Sequence, residues 1–190
     1  IIEPLECVHY LLLWFGWIQP NLSFEYLGWC PSLLFVNLAD FDALIYRSVE
    51  IKNEIVKQDP TEKNIRKSLN FGHTLGHAIE SYFLENENKT TLLHGEAIAV
   101  GMILESYIAL KKDFINEAEY FQIKSAIKSI YNDIIFEEND IEPILELLIH
   151  DKKNEFGTIQ FALIEGIGKI KINQLVENEL ILAAFQDYKS

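Results

Sequence analysis

Three of the chain's five histidines, His73, His77 and His94, lie near one another in the sequence at spacings that suit a metal site. His73 and His77 are four residues apart. On a helix that spacing lets two imidazoles face one cation, or a cation and its substrate. His94 opens the tripeptide His94-Gly95-Glu96 after a polar loop, so it stands at the start of a following helix that can turn back beside the first. Imidazole and carboxylate suit zinc, and a catalytic site needs three protein ligands and an open position. Two histidines and one acid would suffice, yet spacing alone singles out no acid.

Arg66 and Asn70 continue the same stripe upstream. At about 100° per residue, Arg66, Asn70, His73 and His77 span roughly 60° of arc, and Glu62 extends it by about 20° if the helix begins that early. A polar stripe of this kind is ordinarily a solvated face. Against that stand Gly72 and Gly76, each costing a helix about 1 kcal/mol relative to alanine, which implies a close approach to the backbone beside the histidines. The other faces carry Ile65, Leu69, Leu75, Ile79 and Phe83, so the helix packs against protein. Lys52 sits at helical spacing from Ile45 and Val49. It is either a surface lysine with its stem along the apolar stripe or, with Arg66, part of a cationic pocket for phosphate or carboxylate. Asp151-Lys152-Lys153 is a second source of cations or a charged turn. Gly166-Ile167-Gly168-Lys169 lacks the spacing of a phosphate-binding loop and reads as a turn.

Helices must hold these side chains. Apolar residues at threes and fours predict one from Asp40, as N-cap, to just before Pro60, a second from about Glu62 to Leu84, and a third from about His94 to Lys112. Further helices are predicted at about 115–131, 140–150 and 173–187, with Asn173 capping the last. Residues 158–172 alternate around Gly166 and Gly168 and predict one β-hairpin. The expected fold is mainly α, a bundle-like helical unit over 38–190 with one short hairpin. Residues 1–37, interrupted by Pro4, Pro20 and Pro31, keep neither period and stay unassigned.

A formal charge of −13 over 190 residues argues against nucleic acid or an anionic membrane surface as partner. Any bound anion needs a local cationic pocket. The apolar run Val8–Ile18 is too short to span a membrane and lacks the basic flank of a signal peptide. Cys7 and Cys30 form no metal-binding motif and fit a reducing compartment, so the cytoplasm is expected. A first residue Ile1 leads us to expect a fragment or a processed chain.

Arg66-Lys-Ser-Leu-Asn-Phe-Gly-His-Thr-Leu-Gly-His-Ala-Ile-Glu80 and Leu93-His-Gly-Glu-Ala-Ile-Ala-Val-Gly-Met102 resemble the signature of the 3-dehydroquinate synthase family. The resemblance runs from about Asp40 to the end, through Lys52-Asn-Glu-Ile-Val, Asp59-Pro-Thr-Glu62 and Asp151-Lys-Lys153, and corresponds to the family's helical C-terminal domain. It implies that His73 and His94 ligate a divalent metal, zinc or cobalt. It implies too that Lys52, Arg66, Asn70, His77 and Lys153 of the 152–153 pair contact substrate, and that Glu62 is a further active-site acid. The family's third ligand is a glutamate in an upstream helix, for which Glu6 lies at a compatible distance in a degraded motif.

The implied reaction converts 3-deoxy-D-arabino-heptulosonate 7-phosphate, a phosphorylated sugar acid, to 3-dehydroquinate and phosphate in the shikimate pathway. It proceeds by transient oxidation, phosphate loss, reduction, ring opening and aldol closure. The family's glycine-rich nucleotide-binding domain has no counterpart in residues 1–37, so NAD is expected only in the complete enzyme, itself expected to be a homodimer. Related sugar-phosphate cyclases and an inactive metal-binding remnant are the alternatives; the Asn70 and His77 pair favours dehydroquinate synthase.

Overall fold

The computed structural model describes residues 38–153 and 159–189, with side chains for 46–149 and 159–189. The architecture is mainly α with one antiparallel hairpin, as the periodicities predict. Helix α1 spans Leu38–Gln58. It begins before Asp40, so that residue lies inside the helix rather than capping it, and it stops where Pro60 disfavours helical backbone at Asp59.

The single helix expected over Glu62–Leu84 is two elements. Ile65–Asn70 is a tight 3-10 helix, and the α-helix, α2, begins only at His73 and runs to Glu85. Two local causes separate them. The Asp59 carboxylate accepts the backbone N–H groups of Lys63, Asn64 and Arg66, which folds the chain into a turn in place of an α-helical start. Gly72 then takes a left-handed conformation with φ of 81°, open to glycine at little cost. The four-residue stripe therefore exists only for His73 and His77.

Helix α3, His94–Lys111, is the centre of the described residues. Its sequence is largely apolar all round, and Ala97, Ile98, Ala99, Met102 and Ile103, which between them face every side, are buried, the pattern of a helix wrapped by other elements. It packs against α2, against α4 (Glu117–Lys128) and against the last helix, α6 (Asn178–Tyr188); α5 (Glu138–Lys153) closes over α2. Asn116 caps α4, its side chain accepting from Glu119 N–H while the Glu119 carboxylate accepts from Asn116 N–H. Tyr120 and Lys124 of α4 both bond to Asp187 of α6.

Strand β1, Phe161–Ile164, is buried along its whole length, and pairs with β2, Ile170–Gln174. The turn between them uses Gly166 and Gly168 at positive φ, as the alternation around them predicts. Asn173 is no helix cap. It lies in β2 at a left-handed φ of 56°, where the register between Phe161 and Leu163 is irregular, and its side chain accepts from Lys67 Nζ at 2.9 Å. The hairpin thus braces the 3-10 helix. Among the described residues no helix is long and apolar enough to cross a membrane.

The glycines at the α2–α3 crossing explain the close approach implied by the sequence. A Cβ at Gly76 would stand 2.6 Å from Ile98 Cδ1 and 3.0 Å from its Cα, and one at Gly101 would overlap the Gly72 carbonyl oxygen and lie 2.8 Å from Gly76 N. Backbone atoms of a packed helix cannot yield as a side chain can. Gly101→Ala is therefore expected to destabilise the fold by about 3 kcal/mol, read as a lower urea midpoint by circular dichroism; an unchanged midpoint would show that the helices do not meet there.

Candidate metal centre

His73 is the first residue of α2, His77 lies one turn on, and His94 is the first residue of α3. The three rings have centroids 5.2, 5.6 and 5.7 Å apart, and one nitrogen from each lies within 4.8 Å of the others. A tetrahedral zinc with Zn–N bonds of about 2.1 Å holds its ligands about 3.4 Å apart, so small rotations would close these donors on one cation. Their chemistry fits a borderline divalent ion such as zinc.

Two of the rings have an acceptor at Nδ1. His73 Nδ1 lies 3.3 Å from the Phe71 carbonyl, and His94 Nδ1 lies 2.9 Å from Glu80 Oε2. Carbonyl and carboxylate oxygens accept, so the proton belongs on Nδ1 and a metal would meet Nε2. Burial pushes the His73 imidazole down to about 4, and the neighbouring His77, His94 and Lys52 add to this, against the Phe71 carbonyl, which favours the charged form. At neutral pH His73 is the unprotonated base that coordination requires.

The start of α2 is fixed from α3. Glu105, fully buried, accepts Gly72 N–H at 2.7 Å through Oε2 and Leu75 N–H at 3.2 Å through Oε1. It does for α2 what an N-cap side chain does within its own helix.

Beside this cluster stands a second one. Asn70 Nδ2 donates to Glu62 Oε1 at 2.8 Å, Arg66 Nε lies 3.6 Å from Glu62 Oε2, and Arg66 donates to the Pro60 carbonyl at 3.1 Å. Glu62 sits at a left-handed φ of 54°, a strained backbone for a non-glycine residue. Its carboxylate holds an amide and a guanidinium side by side, two groups suited to an anionic ligand.

The structure therefore gathers His73, His77 and His94, places Lys52 near enough for its charge to act on His73, and joins Glu62, Arg66 and Asn70. Lys153 ends α5, but its side chain, like all of Glu6, lies outside the described residues. Spacing gave no role to Asp59, Glu80 or Glu105. Glu80 at least was readable, three residues beyond His77 on the same face; Glu105, 33 residues from Gly72, was not.

His73 also sets a pH dependence. Its folded-state pKa of about 4 is below the ordinary value of 6.5, so between these values the unfolded chain binds the proton and the folded chain does not. Its contribution is intact above about pH 6.5 and is lost as pH falls toward 4, at most about 3 kcal/mol. The metal-free chain should lose more stability between pH 7 and 4.5 than His73→Gln does, compared by urea unfolding. Equal losses would remove His73 as the cause.

Residues 18–154 match the family model described as 3-dehydroquinate synthase C-terminal. The chain is 40% identical over 154 residues to the 3-dehydroquinate synthase of Parabacteroides distasonis, covering 81% of this chain and 43% of that protein. It is 39% identical over 169 residues to that of Picrophilus torridus, covering 86% and 46%. The chain spans less than half the length of these curated relatives. Two solved structures share the fold. A 2-epi-5-epi-valiolone synthase from Streptomyces hygroscopicus subsp. jinggangensis, with NAD+ and Zn2+ bound, superposes with a TM-score of 0.71 at 22% identity over 97% of this chain and 51% of that one. A 2-deoxy-scyllo-inosose synthase complexed with carbaglucose-6-phosphate, NAD+ and Co2+ gives 0.70 at 24% identity over 98% and 53%. A match that runs over most of a chain folded in this way carries one conclusion: the chain belongs to the 3-dehydroquinate synthase C-terminal family.

Proposed function

We propose that this chain is the metal- and substrate-binding part of a 3-dehydroquinate synthase, which converts 3-deoxy-D-arabino-heptulosonate 7-phosphate to 3-dehydroquinate and phosphate. The observation that carries the reading is the convergence of three imidazole nitrogens within 4.8 Å, from two helices, in a chain of this family. The helical unit over 38–190 is the working domain, residues 1–37 stay unassigned, and the nucleotide site belongs to a further domain of the complete enzyme, a cytoplasmic homodimer.

His73 and His94 hold the divalent metal, zinc or cobalt. The third donor is Glu6 by resemblance or His77 by position. A bound metal would supply Lewis-acid polarisation of a substrate hydroxyl, and NAD in the complete enzyme would supply the redox chemistry. The protein does the rest with its own side chains. Lys52, Arg66 and Lys153 supply the positive charge that an acidic chain must concentrate locally to hold a carboxylate and a phosphate, and Asn70 adds a neutral donor. Glu62 orients Arg66 and Asn70 toward that ligand. His77, which is exposed beside the other two rings, hydrogen-bonds the substrate and relays a proton.

Elemental analysis tests the ligands: His73→Ala and His94→Ala should each abolish metal retention, and unchanged content would refute the assignment. Running Glu6→Ala beside His77→Ala identifies the third donor as the variant that also loses metal. For the reaction, the complete enzyme is incubated with NAD and heptulosonate phosphate and assayed for dehydroquinate. Turnover of sedoheptulose 7-phosphate alone would make it a different sugar-phosphate cyclase, and metal binding without any turnover would make it a remnant.

A further inference from the structure

His94 is the one imidazole of the three that comes from α3 and not from α2. It is the first residue of α3, it follows the loop after α2, and its side chain is 42% exposed. A side chain so placed samples several rotamers, and fixing one of them on binding costs affinity. His94 is nonetheless tied down from the other helix, because its Nδ1 lies 2.9 Å from Glu80 Oε2. Glu80 follows His77 by three residues and His73 by seven, spacings that put all three on one face of α2. One helix face thus carries two imidazoles and the acceptor for the third.

We infer that Glu80 is a positioning residue of this cluster: its carboxylate keeps His94 as the Nδ1–H tautomer, directs Nε2 to a divalent cation shared with the neighbouring histidines, and strengthens that nitrogen as a donor. The inference rests on the metal-binding reading above and adds a residue to it. A carboxylate has no proton to give at neutral pH, so the Nδ1–H tautomer is the one that satisfies this contact. Drawing that proton toward an anion raises the electron density of the ring and hence its basicity at Nε2. Carboxylate, imidazole and cation then lie in series, with the negative charge offsetting part of the positive charge that neutral imidazole ligands leave uncompensated. The competing account is a surface ion pair between Glu80 and protonated His94. Both groups are substantially exposed, so such a pair adds little stability, and its imidazolium would repel a cation.

The test uses the metal-free full chain, with Zn2+ affinity measured by competition against a chromophoric chelator and the visible spectrum recorded after Co2+ loading. Glu80→Ala and Glu80→Leu both remove the acceptor, and each should weaken Zn2+ binding about 10- to 100-fold and alter the Co2+ spectrum, with helical circular dichroism retained. Having two such variants covers the failure of either to fold. Glu80→Gln, whose amide oxygen still accepts from Nδ1–H, should recover most of the affinity and the wild-type spectrum. Wild-type Zn2+ affinity in the Ala or Leu variant, with only acid sensitivity changed, would assign the contact to a surface ion pair and overturn the inference. If His73→Ala and His94→Ala themselves bind Zn2+ at wild-type affinity, it is the underlying metal reading that fails.

Discussion

Both oxygens of the buried Glu105 carboxylate are taken by N–H groups at the first turn of α2, Gly72 and Leu75. A carboxylate in an apolar helix is costly unless hydrogen bonds replace its water, and the first N–H groups of a helix are unsatisfied unless something outside the helix accepts from them. Each need meets the other, across two helices. Gly72 has no side chain with which to cap α2, so the helix starts where Glu105 of α3 lets it start. The angular positions of His73, His77 and Glu80 all follow from that one origin. The glycines at the crossing serve the same constraint, because α3 must come within backbone contact for its carboxylate to reach.

Much of this could be read from the residues. The i, i+4 histidines, the helix opening at His94, the glycine pair in an otherwise packed segment and the hairpin around Gly166 and Gly168 each have a local cause, and local causes show in sequence. The break at Phe71-Gly72 did not show, because apolar residues at Ile65, Leu69, Leu75 and Ile79 keep a helical period through a 3-10 turn and a left-handed glycine alike. Asn173 misled for a related reason. An asparagine favours both a helix N-cap and a left-handed backbone, and only its pairing with Lys67 and the irregular strand register decide between them. Glu105 reads as an ordinary helical glutamate because its partners lie about thirty positions upstream.

The neighbourhood of the histidines also shows what the carboxylates of an acidic chain do for the basic side chains beside them. Glu62 and Asp59 do not oppose the basic side chains near them so much as arrange them: Asp59 accepts backbone N–H groups and shapes the turn, while Glu62 aligns Arg66 with Asn70. The surplus of carboxylates is partly structural here, serving as acceptors for a segment that forms little regular secondary structure.

The connection from α2 to α3 is fastened before it reaches His94. Lys89 Nζ bonds to Asp140 at 2.8 Å and Glu137 at 3.1 Å, the Tyr82 hydroxyl donates to Asp140 at 2.7 Å, and Asn86 donates to Tyr82 at 3.0 Å. Residues 86–89 are thereby stitched to the start of α5, and Glu96 secures the helix entry by accepting Leu93 N–H. The exposed tip around Glu87 and Asn88 lies between those two moorings, where a change of length costs a fold least. The third imidazole is therefore held by contacts on either side of the tip and not by the tip itself.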